Sequence, residues 1–182
     1  ANVKKILNYL YPAAQINIIN SGISGDKAEN GNQRFERDVA PFHPDLVVVG
    51  FALNDCTQGK NGMEVYEQSL REIFLKSHQL GAECIFLTPN MMNDRVSPRI
   101  RDERIKKLAI AFKECMLDEY VAIAKKVAKE RHVAICDVYS KWKLMQEKGV
   151  DVTELLSNKL NHPTREMNWF TAYKLVETMF EA

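Results

Sequence analysis

What this sequence lacks excludes several large classes of protein. No apolar run approaches the ~20 residues of a membrane-spanning helix, so no membrane partner is expected. Lys and Arg number 25 against 24 Asp and Glu, for a formal net charge of +1. Neither sign gathers into a tail or stripe, which leaves no electrostatic footprint for nucleic acid. Only 8 glycines occur, and none stands in the Gly-x4-Gly-Lys-Ser/Thr arrangement that cradles phosphate; no nucleotide cofactor is implied. The 4 cysteines (Cys56, Cys84, Cys115, Cys136) form no Cys-x2-Cys pair, and His43, His78, His132 and His162 are widely spaced. No metal site is implied. Four such thiols in a domain of this size read as buried and free, which favours a reducing compartment. The opening residues 1–5 lead into an amphipathic stretch and show no signal-peptide pattern. Cytoplasmic and secreted locations, the latter after removal of a signal, both stay open, and the oligomeric state is not legible.

What is present is an alternation of helix and strand patterns within a length of 182 residues, which fits one domain. Apolar residues at helical spacing predict helices over 3–10, 30–40, 63–80, 103–130, 139–148 and 166–181, with Gly81 placed to close the third. Short β-type runs predict strands at 15–20, 46–50, 84–88 and 132–137. The runs LVVVG and CIFLT are apolar on both faces, as buried parallel strands are. The pattern therefore predicts an α/β protein, a flavodoxin-like parallel sheet in three α/β/α layers. Ligand sites in such sheets form beyond the carboxyl ends of the strands.

Three of those places hold unusual residues: NSGISGD at 20–26, GFALND at 50–55, and NHP at 161–163. Each has an ordinary reading. Gly22 and Gly25 serve as turn glycines. Asn54-Asp55 serves as a helix cap or Asx-turn. A histidine before proline is commonly a surface loop residue. Together and in order, the three blocks resemble the SGNH (GDSL-like) hydrolase family. Its motifs are a Gly-Asp-Ser, a glycine turn of the NSGISGD kind, a Gly-x-Asn-Asp after a buried strand, and Asp-x-x-His-Pro before the last helix. The lead-in HPDLVVVG at 43–50 is similar too, so the resemblance spans nearly the whole chain.

The resemblance implies a serine ester hydrolase. Gly25 corresponds to the oxyanion-hole glycine that donates its backbone N–H, Asn54 to the asparagine that donates a side-chain N–H, and His162 to the general base. A serine hydroxyl attacks only once an imidazole takes its proton, and the tetrahedral intermediate's oxygen needs preorganised donors. Two departures stand out. No Gly-Asp-Ser occurs in the sequence. The nucleophile, and the central strand that ends in it, are therefore expected ahead of residue 1, as in an N-terminally truncated domain. Ser21 and Ser24 lie in the oxyanion turn, where the family does not place its nucleophile. The family's acid is also replaced, since Lys159 stands three residues before His162 and cannot accept an imidazole N–H. Asn158 and Asn161 offer carbonyl oxygens, and Asp151, Glu154 or Glu166 would have to fold back to substitute.

A small-molecule ester is the expected partner, acetylated carbohydrate among the classes the family cleaves. The polar loop 90–102, with Asn90, Asn93, Asp94, Arg95, Arg99 and Arg101, lines a polar substrate site or is simply solvated. Trp169 is a core anchor or a sugar-stacking platform. The alternative function is a catalytically inactive SGNH-like domain that binds carbohydrate or protein, which the absent serine and Lys159 both favour. A flavodoxin-like module unrelated to hydrolysis is the third reading, against which Asp26 would repel a phosphate.

Overall fold

The computed structural model describes residues 2–180. Its centre is a three-stranded parallel sheet in the order β1 (Leu46–Val49), β2 (Glu83–Leu87), β3 (Ala134–Cys136). Val47 pairs with Cys84 and Val49 with Phe86, while Ile85 pairs with Ala134. Because side chains alternate along a strand, Val47, Val49, Cys84 and Phe86 share one face. Helix α4 (Met63–Gln79) packs on that face: Phe74 meets Phe86 edge-on with ring centroids 6.2 Å apart. Its buried residues Tyr66, Leu70, Ile73, Phe74 and Ser77 follow the helical repeat. The helix ends where the periodicity ends. Gly81 takes φ +76°, its N–H donates to His78 O, and Ala82 N–H donates to Ser77 O, which is a Schellman closure.

Helix α6 (Leu117–Glu130) lies beside α4, with the Tyr66 and Tyr120 rings 4.9 Å apart and tilted by 54°. A second group is built on α8 (Arg165–Phe180), which packs on β3, and on α1 (Asn2–Leu10), which packs on α8. Ile6, Leu7, Ala172 and Val176 form their own small core there. Trp169 belongs to this seam, with the Lys5 ammonium over its ring at 5.9 Å; it anchors α1 to α8. Helix α7 (Val138–Glu147) buries Trp142 completely. No helix among the described residues is long and apolar enough to cross a membrane.

Three sequence expectations are corrected. Residues 15–20 form no strand, and Ile18 and Ile19 are exposed. A strand needs a ladder partner, and among the described residues β1 pairs with β2 alone. The helix expected at 30–40 is two short ones, α2 (Ala28–Gln33) and α3 (Phe35–Asp38), broken at Arg34 with φ −98° and ψ 2°. The long helix expected at 103–130 is α5 (Glu103–Lys113) followed by α6. Met116 leaves helical geometry at ψ 47°, and Asp118 and Glu119 start a new first turn, where acidic side chains complement the helix dipole. The last helix matches its expected span, although Glu181 lies outside the described residues.

The sheet–α4 contact sets a stability test. Phe86→Ala is expected to cost about 3–5 kcal/mol in urea unfolding. Tyr173→Ala, at a side chain 59% exposed, should stay within about 0.5 kcal/mol.

Candidate active site

Beyond the carboxyl end of β1 the chain turns into a 3-10 segment, Asp55–Gly62. Asp55 is 2% exposed, and its carboxylate accepts Ala28 N–H at 2.8 Å and Ala52 N–H at 3.1 Å. One buried carboxylate thus ties the start of α2 to the loop after β1. Beside it, Asn54 Nδ2 donates to Asp26 O at 2.9 Å. The sequence blocks 20–26 and 50–55 therefore meet, with the Asn54 amide one residue from Gly25. An asparagine amide has two N–H groups; one is anchored here, and the other is unengaged among the described residues. The Gly25 N–H is unengaged as well. Gly25 is exposed at φ +83°, and the space where a side chain would project is open. Its glycine is thus demanded by backbone conformation.

Arg34 holds this turn in shape. Its Nε donates to Asp26 at 2.8 Å, and its Nη1 donates to Ser21 O and to Asp38. The Ser21 hydroxyl is committed to Asp38 O at 2.9 Å. Arg34 carried no motif and went unnoticed in the sequence. No local pattern marks it, since helical periodicity runs unbroken across 30–40.

Ala52 is strained. Its φ is +130°, a region that glycine occupies freely and alanine does not. In the block Ala52-Leu53-Asn54-Asp55 it stands where the family motif Gly-x-Asn-Asp has its glycine, whereas Gly50 has ordinary φ and ordinary contacts. The Asp55 carboxylate on its N–H and the Cys56 N–H on its carbonyl hold the strained residue in place.

His162 sits on a hairpin closed by the Leu156–Pro163 bridge, by Ser157 N–H to His162 O at 2.7 Å, and by Thr164 N–H to Leu155 O at 2.9 Å. Asn158 shapes the tip: its Oδ1 accepts the N–H groups of Leu160, Asn161 and His162, each at 3.0 Å. Lys159, at φ +60°, turns away to Glu154 at 3.0 Å. The possible replacements for the acid are engaged elsewhere. Asp151 pairs with Arg95, and Glu154 pairs with Arg95, Arg99 and Lys159. Glu166 is held below the ordinary carboxylate range by its own backbone N–H and by Thr164. The exposed His162 imidazole has no hydrogen-bond partner among the described residues. No hydrogen bond joins it to Gly25 or Asn54 among them either.

The loop 90–102 braces this hairpin. Asn90 Nδ2 donates to Asn161 O at 2.9 Å, and Asn93 N–H donates to Leu160 O at 2.7 Å. Asp94 meets Thr153 and Gln146. Most of the polar side chains here serve internal bonds, a role the sequence reading did not foresee. Among the described residues no three or more His, Cys, Asp or Glu side chains converge as metal ligands would.

Asp55 sets two expectations. Asp55→Ala leaves two buried N–H groups without an acceptor, at about 1–3 kcal/mol each, so urea unfolding should report a loss of about 2–5 kcal/mol. Burial pushes the Asp55 carboxyl up, against the N–H groups of Ala28 and Ala52 that hold it down. The folded protein therefore keeps this proton where the unfolded chain has released it, and this group's contribution to stability rises as pH falls through the raised value. Asp55→Asn removes that contribution, so its stability should fall more steeply on acidification than that of the native chain.

Comparison with known proteins identifies relatives of the same fold. A curated acetylxylan esterase of Geobacillus stearothermophilus is 25% identical over 146 residues, 75% of this chain and 61% of that protein. The chain thus spans about three fifths of that relative's length. Among solved structures, a variant of the acetylxylan esterase Axe2 from Geobacillus stearothermophilus superposes with a TM-score of 0.77 at 21% identity, covering 99% of this chain and 80% of that one. A Parabacteroides merdae structure assigned to the GDSL-like lipases gives 0.77 at 23% identity, covering 97% and 79%. At such identities the superpositions speak for the fold. The model of the GDSL-like lipase/acylhydrolase family matches residues 2–169, and with the two motif blocks joined at Asn54 and Asp26, this chain belongs to that family.

Proposed function

We propose that the chain is the body of a serine ester hydrolase for small acyl esters, with acetylated carbohydrates as the favoured class. Gly25 and Asn54 form its oxyanion hole, His162 is its general base, and its nucleophilic serine lies outside residues 1–182. The observation that carries this is the Asn54–Asp26 bond at 2.9 Å, which ties the Asn54 amide to the residue after Gly25 and leaves its second N–H and the Gly25 N–H unengaged among the described residues. Two unengaged donors on one anchored corner suit an oxygen that gains negative charge in the tetrahedral intermediate. The acetyl preference rests on similarity to the acetylxylan esterase.

The chemistry assigns each group one task. His162 takes the serine proton as the hydroxyl attacks the ester carbonyl, then returns it to the departing alcohol. The two N–H groups hold the carbonyl oxygen meanwhile. A water activated by the same imidazole releases the acid. With Lys159 in the acid's place, no carboxylate stabilises the imidazolium, and a slower enzyme than one with a full triad is expected.

A second reading, a non-catalytic binding domain, is favoured by the unpartnered His162 ring and by the turn of Lys159 toward Glu154. Acetate release from acetylated xylo-oligosaccharide, with the natural upstream residues present, separates the two. Asn54→Ala is expected to lower kcat/KM by about 10²–10³, and His162→Ala should abolish fluorophosphonate labelling. Silence of the native protein in both assays would leave the binding reading.

A further inference from the structure

We propose that Cys56 and Cys115 form a redox couple, closed to a reversible disulfide by a hydroperoxide, that ties the segment behind Asn54 to the break between α5 and α6. This inference does not depend on the hydrolase reading. The two Sγ atoms lie 2.9 Å apart across 59 residues of sequence. Such proximity needs both elements. Cys56 is placed by the 3-10 segment after Asn54-Asp55, with its N–H on Ala52 O. Cys115 is turned inward because the helix breaks at 114–116. Cys84 and Cys136 sit on the separate strands β2 and β3.

Access and reactivity differ between the two thiols in the sense that oxidation requires. Cys56 is buried and Cys115 half-buried. A cleft of about 280 Å³, lined by both thiols with Leu108, Phe112 and Met116, reaches them from the surface. A hydroperoxide is small enough to enter it. The Cys56 thiol donates to Cys115, and the Leu117 N–H adds to this, which holds the Cys115 thiol below its ordinary range. Cys56 is pushed up by the same partner and by burial. Cys115 is thus the thiolate that attacks, and Cys56 stays a thiol. The Cys115 thiolate takes an oxygen from hydrogen peroxide, which leaves as water after protonation, and becomes the sulfenic acid. Cys56 sulfur then attacks the Cys115 sulfur and expels a second water. The two thiols lose two electrons and two protons in all, and the peroxide gains them. A dithiol reductant reverses the bond by exchange.

The test treats the folded native protein with hydrogen peroxide, alkylates the remaining thiols, and maps the digest by mass. The expected result is a peptide pair joined through Cys56 and Cys115, lost on dithiothreitol treatment, with Cys84 and Cys136 alkylated. The oxidised protein should melt higher by roughly 5–15 °C, because the bond closes a long loop in the unfolded chain. In Cys56→Ser the link should vanish and dimedone should trap Cys115 as the sulfenic acid. Four alkylated thiols after treatment of the native protein, a link through Cys84 or Cys136, or oxidation confined to Met92, whose Sδ lies 3.4 Å from Cys115, would each overturn the proposal.

Discussion

The corner where residues 20–26 meet residues 50–55 hangs on one buried carboxylate. Asp55 satisfies the first N–H of α2 and the N–H of Ala52 at once. Either donor, buried without an acceptor, would cost free energy comparable to a large fraction of a domain's net stability. Burial of the charge is itself unfavourable, as the raised pKa records. The two charge-assisted bonds offset part of that cost and fix where the chain goes after β1. Asn54 and Cys56, its immediate neighbours, inherit their positions from it.

The strain at Ala52 belongs to the same device. A non-glycine residue at φ +130° costs on the order of 1–3 kcal/mol and persists only where its surroundings over-determine it. Here the surroundings are the Asp55 carboxylate on one side of the residue and the Cys56 N–H on the other. Asn54 is thereby placed rigidly, which the proposed function requires, since an amide donor that meets a developing charge is useful only if it does not reorganise.

The His162 hairpin is held by a different logic. Its tip depends on Asn158, whose single oxygen gathers three backbone N–H groups, and its base is braced by Asn90 and Asn93 from the loop after β2. Charged residues around it pair with one another: Arg95, Arg99 and Lys159 converge on Glu154, itself a half-buried side chain. That network consumes the carboxylates a catalytic histidine would otherwise use, and leaves the imidazole as the one exposed polar ring on the hairpin. At the acid, this local chemistry departs from the family pattern, as the missing Gly-Asp-Ser does at the nucleophile.

The sequence alone determined the parallel α/β layout, since apolar runs on both strand faces and helical periodicity are local properties that burial reads directly. It also determined the three motif blocks, and with them the family. Its errors came where local pattern and tertiary context disagree. Residues 15–20 have strand character but no ladder partner, and periodicity runs unbroken across 103–130 while the backbone turns at Met116. Only the tertiary structure decided that Asn54 meets Asp26, that Arg34 clamps the turn at 21–26, that the loop 90–102 braces the His162 hairpin, and that Cys56 faces Cys115. Each joins residues separated by loops whose course no local preference fixes. Their contacts follow from the packing of whole elements, and no periodicity in the chain records them.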